Sequence, residues 1–201
     1  MLSVRLQATH GQTYDPGDKK YDNEPFLKWL TNVAANATIP DIFTISYQDY
    51  EDTLSTVFMQ RVSAEAAQLA IRGTTLVTGS GDWGVGCGAD GKTFRGDFPS
   101  SSPYIVSTGA TTFDGSSPTP TPGTEVGITF SSGGFSTTFA QPSYQSDLVK
   151  KFLKQCNVPT TLFNRLGRGF PVRLFPREKK PKTKKNVARL SIEFLWSFFV
   201  G

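Results

Sequence analysis

Apolar residues recur along this chain with two different periods, and the switches between them mark out the elements. Asn23-Glu24-Pro25-Phe26 reads as a helix start, because Asn is a favoured cap and Glu24 and Pro25 suit a first turn whose N–H groups lack intrahelical acceptors. Phe26, Leu27, Leu30 and Val33 then lie three and four apart, an apolar face running to about Ala35. Residues 41–47 (DIFTISY) are β-branched and aromatic and predict a short strand. From 51 to 72 a long helix is expected: Leu54, Val57, Phe58, Val62, Ala66 and Leu69 share one face, and Gly73 ends it. Residues 74–77 read as a second, buried strand that runs into the turn Gly79-Ser80-Gly81-Asp82-Trp83-Gly84-Val85-Gly86. Strands at 104–108 and 128–130 follow. A last helix starts at Pro142, with Leu148, Val149, Phe152 and Leu153 facing inward.

Strand, long helix and buried strand in succession argue for βαβ units, hence an α/β fold with a parallel sheet. In such sheets function collects at the carboxyl ends of the strands. Those ends are residues 46–49 and 80–86.

Composition narrows the class without naming a function. The chain has 201 residues, 37% hydrophobic and 19% charged, enough apolar material for one packed domain and too varied for a collagen, a coiled coil or a disordered polymer. Two cysteines cannot form a disulfide framework. No apolar run reaches the roughly 18 to 20 residues that span a bilayer, so no transmembrane segment is expected. Nor does a basic stretch lead into an apolar one after Met1, so no signal peptide is expected. The Ser/Thr/Pro/Gly stretch at 115–123 reads as a surface loop, and no internal repeat is evident.

A net charge of +4 suggests an anionic partner until the charge is located. Residues 1–170 carry 13 Lys and Arg against 15 Asp and Glu, whereas residues 171–201 carry 8 against 2. The body is therefore slightly acidic, and no nucleic acid is expected to bind it. The tail at 172–201 is basic and then apolar. Three readings of it stand open: a solvated extension, a contact with a membrane surface or nucleic acid, or a stretch foreign to the preceding domain.

At the strand ends the chemistry centres on Ser80-Gly81-Asp82. A carboxyl group between glycines can ligate a metal, act as an acid or base, or, when protonated, donate to a developing oxyanion. It can also simply cap a turn. For a metal site, Asp90 and Asp97 are too loosely placed, and GSGDWGVG lacks the order of a phosphate-binding loop. His10, the only histidine, lies in a polar stretch and reads as an exposed loop residue, which leaves no Ser-His-Asp triad.

Several short motifs occur in order: Glu24-Pro25-Phe26-Leu27-Lys28-Trp29-Leu30, then Ile45-Ser46-Tyr47 with Asp49 and Glu51, then Ser80-Gly81-Asp82 through Cys87. They continue with Phe98-Pro99 through Pro103-Tyr104 and Gly109, Ser132-Gly133-Gly134-Phe135-Ser136, and Pro142-Ser143-Tyr144-Gln145. Over about residues 20–171 this series resembles the sedolisin (serine-carboxyl peptidase) family. The resemblance divides the chain into an irregular segment at 1–19, the central part of a peptidase domain at 20–171, and the tail. It implies a subtilisin-like, doubly wound α/β fold with a mostly parallel sheet, incomplete at both ends. It also implies proteolysis at acid pH, as an endopeptidase or tripeptidyl-peptidase, with peptide or unfolded protein as substrate.

Asp82 matches the family's oxyanion-hole aspartate. Ser46, Tyr47, Gln48 and Asp49 match the backbone edge that pairs with substrate, and Ser80 and Gly81 complete the implied substrate site. Gln48 stands where Gly is usual and Trp83 where Ser is frequent, changes that narrow a cleft. Asn36-Ala37-Thr38 is a glycosylation sequon compatible with the lysosomal or secreted setting of complete members.

The rest of the implied catalytic set is not here. The match stops at Pro171 with no Gly-Thr-Ser beyond it, and no Glu is followed by Asp at i+4 anywhere in the chain. Gly73-Thr74-Thr75 does not substitute, since it begins a strand. The family's calcium site belongs to a part beyond the matched residues, so no cofactor is expected in this chain. Cys87 matches a family cysteine, Cys156 has no counterpart, and a bridge between them stays open. The expectation is a chain inactive alone and poorly soluble. Two alternatives remain: a non-catalytic peptide-binding pseudoenzyme, or a protein that interacts through its basic tail.

Overall fold

The structure, a computed structural model, describes residues 25–113, 125–156 and 158–171. His10, the Asn23 cap, the 115–123 loop and the 172–201 tail lie outside the described residues.

Helix α1 (Phe26–Ala34) follows Pro25 and buries Phe26 and Leu30, half of the face expected for it. Strand β1 (Ile42–Ile45) comes next, alternating exposed and buried positions so that Phe43 and Ile45 face the core. A two-residue strand, β2 (Asp49–Tyr50), leads into a 3-10 turn at Glu51–Thr53. The long helix expected over 51–72 is thus broken. Leu54 and Ser55 are extended, and helix α2 (Thr56–Ile71) starts after them, with the Ser55 hydroxyl accepting the Phe58 N–H at 3.2 Å. Starting there turns the buried stripe onto Phe58, Met59, Val62, Ala66 and Leu69 and leaves Val57 76% exposed, against expectation. Ser55→Ala should cost about 1 kcal/mol, the usual worth of such a cap. Urea unfolding would show it as a lower midpoint at unchanged slope.

Strand β3 (Thr75–Gly79) lies parallel to β1, with Ile45 level with Thr78. After β4 (Asp97–Phe98), strand β5 (Val106–Thr108) joins the other side of β3, making a parallel sheet in the order β1-β3-β5. Helix α2 is the crossover from β1 to β3, and α1 packs on α2. The main core fills the layer between these helices and the sheet, from Leu30, Met59, Val62 and Leu69 to Phe43, Leu76 and Ile105.

The fourth strand does not fall at 128–130. Strand β6 (Thr111–Phe113) pairs antiparallel with β7 (Glu125–Gly127), and Phe130 lies in the following turn, 46% exposed. Strand β8 (Gly134–Ala140) leads through a 3-10 turn at Ser143–Gln145 to helix α3 (Ser146–Gln155), and β9 (Gly167–Phe170) returns antiparallel to β8. A second core sits here, where Phe135 contacts Phe163 at 5.0 Å and Phe152 at 5.7 Å between ring centres.

Strand β9 also brings in Arg168, which is fully buried. Its guanidinium donates to the carbonyls of Ser100 and Ile105, tying β9 to the loop between β4 and β5. Burial pulls the guanidinium pKa down; the two carbonyls satisfy Nη1 and Nη2, while Nε has no hydrogen-bond partner among the described residues.

Candidate functional site

Because β1 and β3 run parallel, their carboxyl ends emerge on one side, and both predicted site segments meet there. Ser46 leaves β1 exposed, level with the end of β3. The Gln48 side chain crosses that end. Its amide Nε2 donates to Thr78 Oγ1 at 2.7 Å and to the Gly79 carbonyl, and its Oε1 accepts the Ser100 N–H at 3.4 Å. Asp49 turns away into β2, where its backbone pairs with Phe98 and its carboxylate accepts the Tyr47 hydroxyl at 2.8 Å. The part of the predicted edge outside the β2 pairing is therefore Ser46 to Gln48.

Beyond β3 the chain makes a tight, braced turn. Ser80 is buried; its N–H continues the pairing to the Thr108 carbonyl at 2.9 Å, and its hydroxyl lies 3.1 Å from that of Ser131. Gly81 has φ of +109°, a conformation open to glycine and strained for any other residue. A Cβ at Gly81 would also lie 2.6 Å from Ser132 Oγ and 2.9 Å from an Asp97 carboxylate oxygen. Three bonds stitch the turn to residues 130–132: Ser132 N–H to the Gly81 carbonyl at 2.9 Å, Trp83 N–H to Ser132 Oγ at 3.2 Å, and Gly84 N–H to the Phe130 carbonyl at 2.7 Å. Asp82 stands exposed at the apex, and no described residue hydrogen-bonds its carboxylate. Trp83 beside it is 72% exposed.

Behind the turn is a carboxyl group that sequence reasoning had set aside. Asp97 is buried, 4% exposed, and is pushed up to about 7, chiefly because burial penalises its charged form. A hydrogen bond from Ser132 and the charge of Arg95 pull the other way, while Glu51 and Asp49 add to the rise. Its only sequence signal is its place just before Phe98-Pro99; its partner Ser132 appears in the motif series without a role. Glu51, also buried, accepts hydrogen bonds from the Ser136 hydroxyl and from the Thr137 N–H and hydroxyl, the latter two at 2.6 Å. Arg95 pairs with Asp52 and lies 3.5 Å over the Tyr50 ring.

Cys87 and Cys156 are both free thiols, the first exposed and the second half-buried, so the bridge left open by the sequence is not formed. Among the described residues no group of three or more His, Cys, Asp or Glu side chains comes together to hold a metal ion. No helix among them is long and apolar enough to cross a membrane.

No family model matches the chain. Tripeptidyl-peptidase 1 of Rattus norvegicus is 43% identical over 152 residues, covering 74% of this chain and 26% of that protein. The Canis lupus familiaris and Homo sapiens tripeptidyl-peptidases 1 are each 40% identical over 162 residues, covering 79% of this chain and 28% of theirs. The chain thus spans about a quarter of the length of these relatives. Among solved structures, a Pseudomonas sedolisin, a serine-carboxyl proteinase complexed with two molecules of pseudo-iodotyrostatin, matches at a TM-score of 0.50 and 21% identity. That match covers 74% of this chain and 40% of the other. The likeness bears out the expected α/β, subtilisin-like fold.

Proposed function

We propose, from the premise that this chain carries part of a sedolisin-type serine-carboxyl peptidase domain, that it supplies the oxyanion side and the peptide-binding edge of an acid peptidase. The observation that carries this reading is the Asp82 carboxyl group. It is exposed on a braced turn just past the end of β3, the strand that pairs with β1, and no described residue hydrogen-bonds it. In acid a carboxylic acid is neutral and can donate a hydrogen bond to the oxygen on which charge develops when a peptide carbonyl is attacked. Ser46, Tyr47 and Gln48 continue from the end of β1, an edge strand of the sheet, and form the segment to which a peptide adds as a further strand.

The nucleophile and its base are not in this sequence, which holds neither Gly-Thr-Ser nor Glu-x-x-x-Asp. An oxyanion donor alone stabilises a transition state that nothing here generates. The proposal is therefore binding without turnover by the chain alone, and peptide hydrolysis at acid pH by the assembled domain. A lysosomal or secreted setting accords with it: the Asn36-Ala37-Thr38 sequon lies exposed just past α1.

Titrating an N-terminally free peptide into the full chain at acid pH tests this. Amide shifts confined to residues 46–48 and 80–83 are expected at millimolar peptide, with no cleavage. Absence of those shifts removes the binding edge. Cleavage that disappears in Asp82→Ala would show that the chain holds a complete catalytic set.

A further inference from the structure

We propose that Asp97, acting through Ser132, is a positioning residue for the turn that carries Asp82, and that its protonation state sets how strongly Ser132 holds the Trp83 N–H. This rests on the peptidase reading for its purpose but on separate observations for its geometry. Asp97 and Ser132 together fill the space against Gly81, so closely that a methyl group there would meet both. Ser132 grips the turn from both sides of Asp82, donating its N–H to the Gly81 carbonyl and accepting the Trp83 N–H on its hydroxyl oxygen. Asp97 is hydrogen-bonded to that same hydroxyl. The carboxyl group is thus one bond removed from the backbone on either side of the oxyanion donor.

Ser132 has one hydroxyl hydrogen, and the protonation state of Asp97 decides where it goes. When Asp97 is ionised, Ser132 must donate to it, and the polarised hydroxyl oxygen accepts the Trp83 N–H more strongly. Once Asp97 is neutral, its own O–H can donate to Ser132, and that oxygen then serves two donors at once. Ionisation also sets a buried negative charge directly behind the turn where a second negative charge develops during catalysis, and in a dry interior such repulsion is poorly screened. The groups facing Asp97 reinforce the neutral form. Asp49 and Tyr50 of β2 and Glu51 of the next turn add no positive charge, and the positive charge of Arg95 is shared with Asp52 and the Tyr50 ring. From the opposing loop comes the uncharged Ser132.

The test is made on the full chain labelled with 15N at tryptophan, where Trp83→Phe assigns the Trp83 backbone amide. As pH falls from about 9 to about 5, the Trp83 amide proton should move upfield with a midpoint near that of Asp97, about 7. In Asp97→Asn the movement should vanish, with the signal held near its acid position. Ser132→Ala, which severs the relay and leaves Asp97 in place, should abolish it as well. A Trp83 amide that does not move in the wild type, or one that still titrates in Asp97→Asn or Ser132→Ala, overturns the proposal. No turnover is needed for this readout, so a chain that fails to bind peptide but shows the titration defeats the peptidase reading alone.

Discussion

Asp97→Asn should abolish a steep loss of stability between about pH 4 and pH 7 and leave the neutral-pH protein more stable than the wild type. The sign follows from burial. The folded-state pKa of Asp97 is raised to about 7 from an ordinary 3.8, the reverse of a salt-bridged carboxylate. Between those values the native state holds a proton that the unfolded chain has released. Stability therefore falls as pH rises, by about 1.4 kcal/mol per unit. Across some three units that amounts to about 4 kcal/mol, a large share of the 5–15 kcal/mol typical of a domain. Below pH 4 both states are protonated and wild type and variant should coincide. Above pH 7 the asparagine, which keeps the shape and can donate to Ser132, carries none of the cost. Urea unfolding at several pH values measures this directly, and parallel curves for the two proteins would refute it.

Glu51→Ala should be the most damaging single change among the buried polar residues, with an expected loss of about 4 kcal/mol or more. The Glu51 carboxylate accepts three hydrogen bonds from Ser136 and Thr137, at the point where the 3-10 turn after β2 meets β8. Each bond to an ionised acceptor is worth roughly 1.5 to 3 kcal/mol, and truncation strands the buried Ser136 hydroxyl, frees the two more accessible donors of Thr137 and leaves a void. Glu51→Gln fills the same volume but turns an NH2 group toward donors, so its loss should be intermediate. Circular dichroism with chemical denaturation ranks the three proteins. A loss below about 1 kcal/mol in the alanine variant would mean that water replaces the carboxylate without cost.

The carboxyl group that lowers stability and the one that supplies it sit close together, and their contrast follows from donors. Glu51 meets three hydrogen-bond donors, whereas Asp97 meets one hydroxyl and the charge of Arg95, set against two neighbouring carboxylates. Burial is common to both; satisfaction of the charge is not. A residue kept at a cost to stability beside a candidate oxyanion turn is the pattern expected where function, not packing, selects the residue.

Much of the fold could be read in the chain because local physics dictates it. The three-and-four spacing from Phe58 to Leu69 makes α2 a helix, and the β-branched run at 42–45 makes β1 a strand. Gly81 is required wherever the backbone turns through a positive φ. The order of these elements alone implied a parallel sheet with its site at the carboxyl ends, and Ser46, Gln48 and Asp82 do lie there. The sequence misread the places where local preference was balanced. The stretch at 51–55 carries helical spacing, but Leu54 and Ser55 stay extended while Glu51 is committed to β8, and the helix waits for its serine cap.

By itself, then, the sequence determined the periodic elements, their order, and the resemblance carried by short ordered motifs. Only the tertiary structure decided what surrounds each polar group. Trp83 and Ser132 are 49 positions apart and Glu51 and Thr137 are 86 apart, separations over which no period or propensity carries information. A carboxyl group's charge depends on the solvent removed and the donors supplied by whatever packs against it, and both are set by chain segments that meet only after folding.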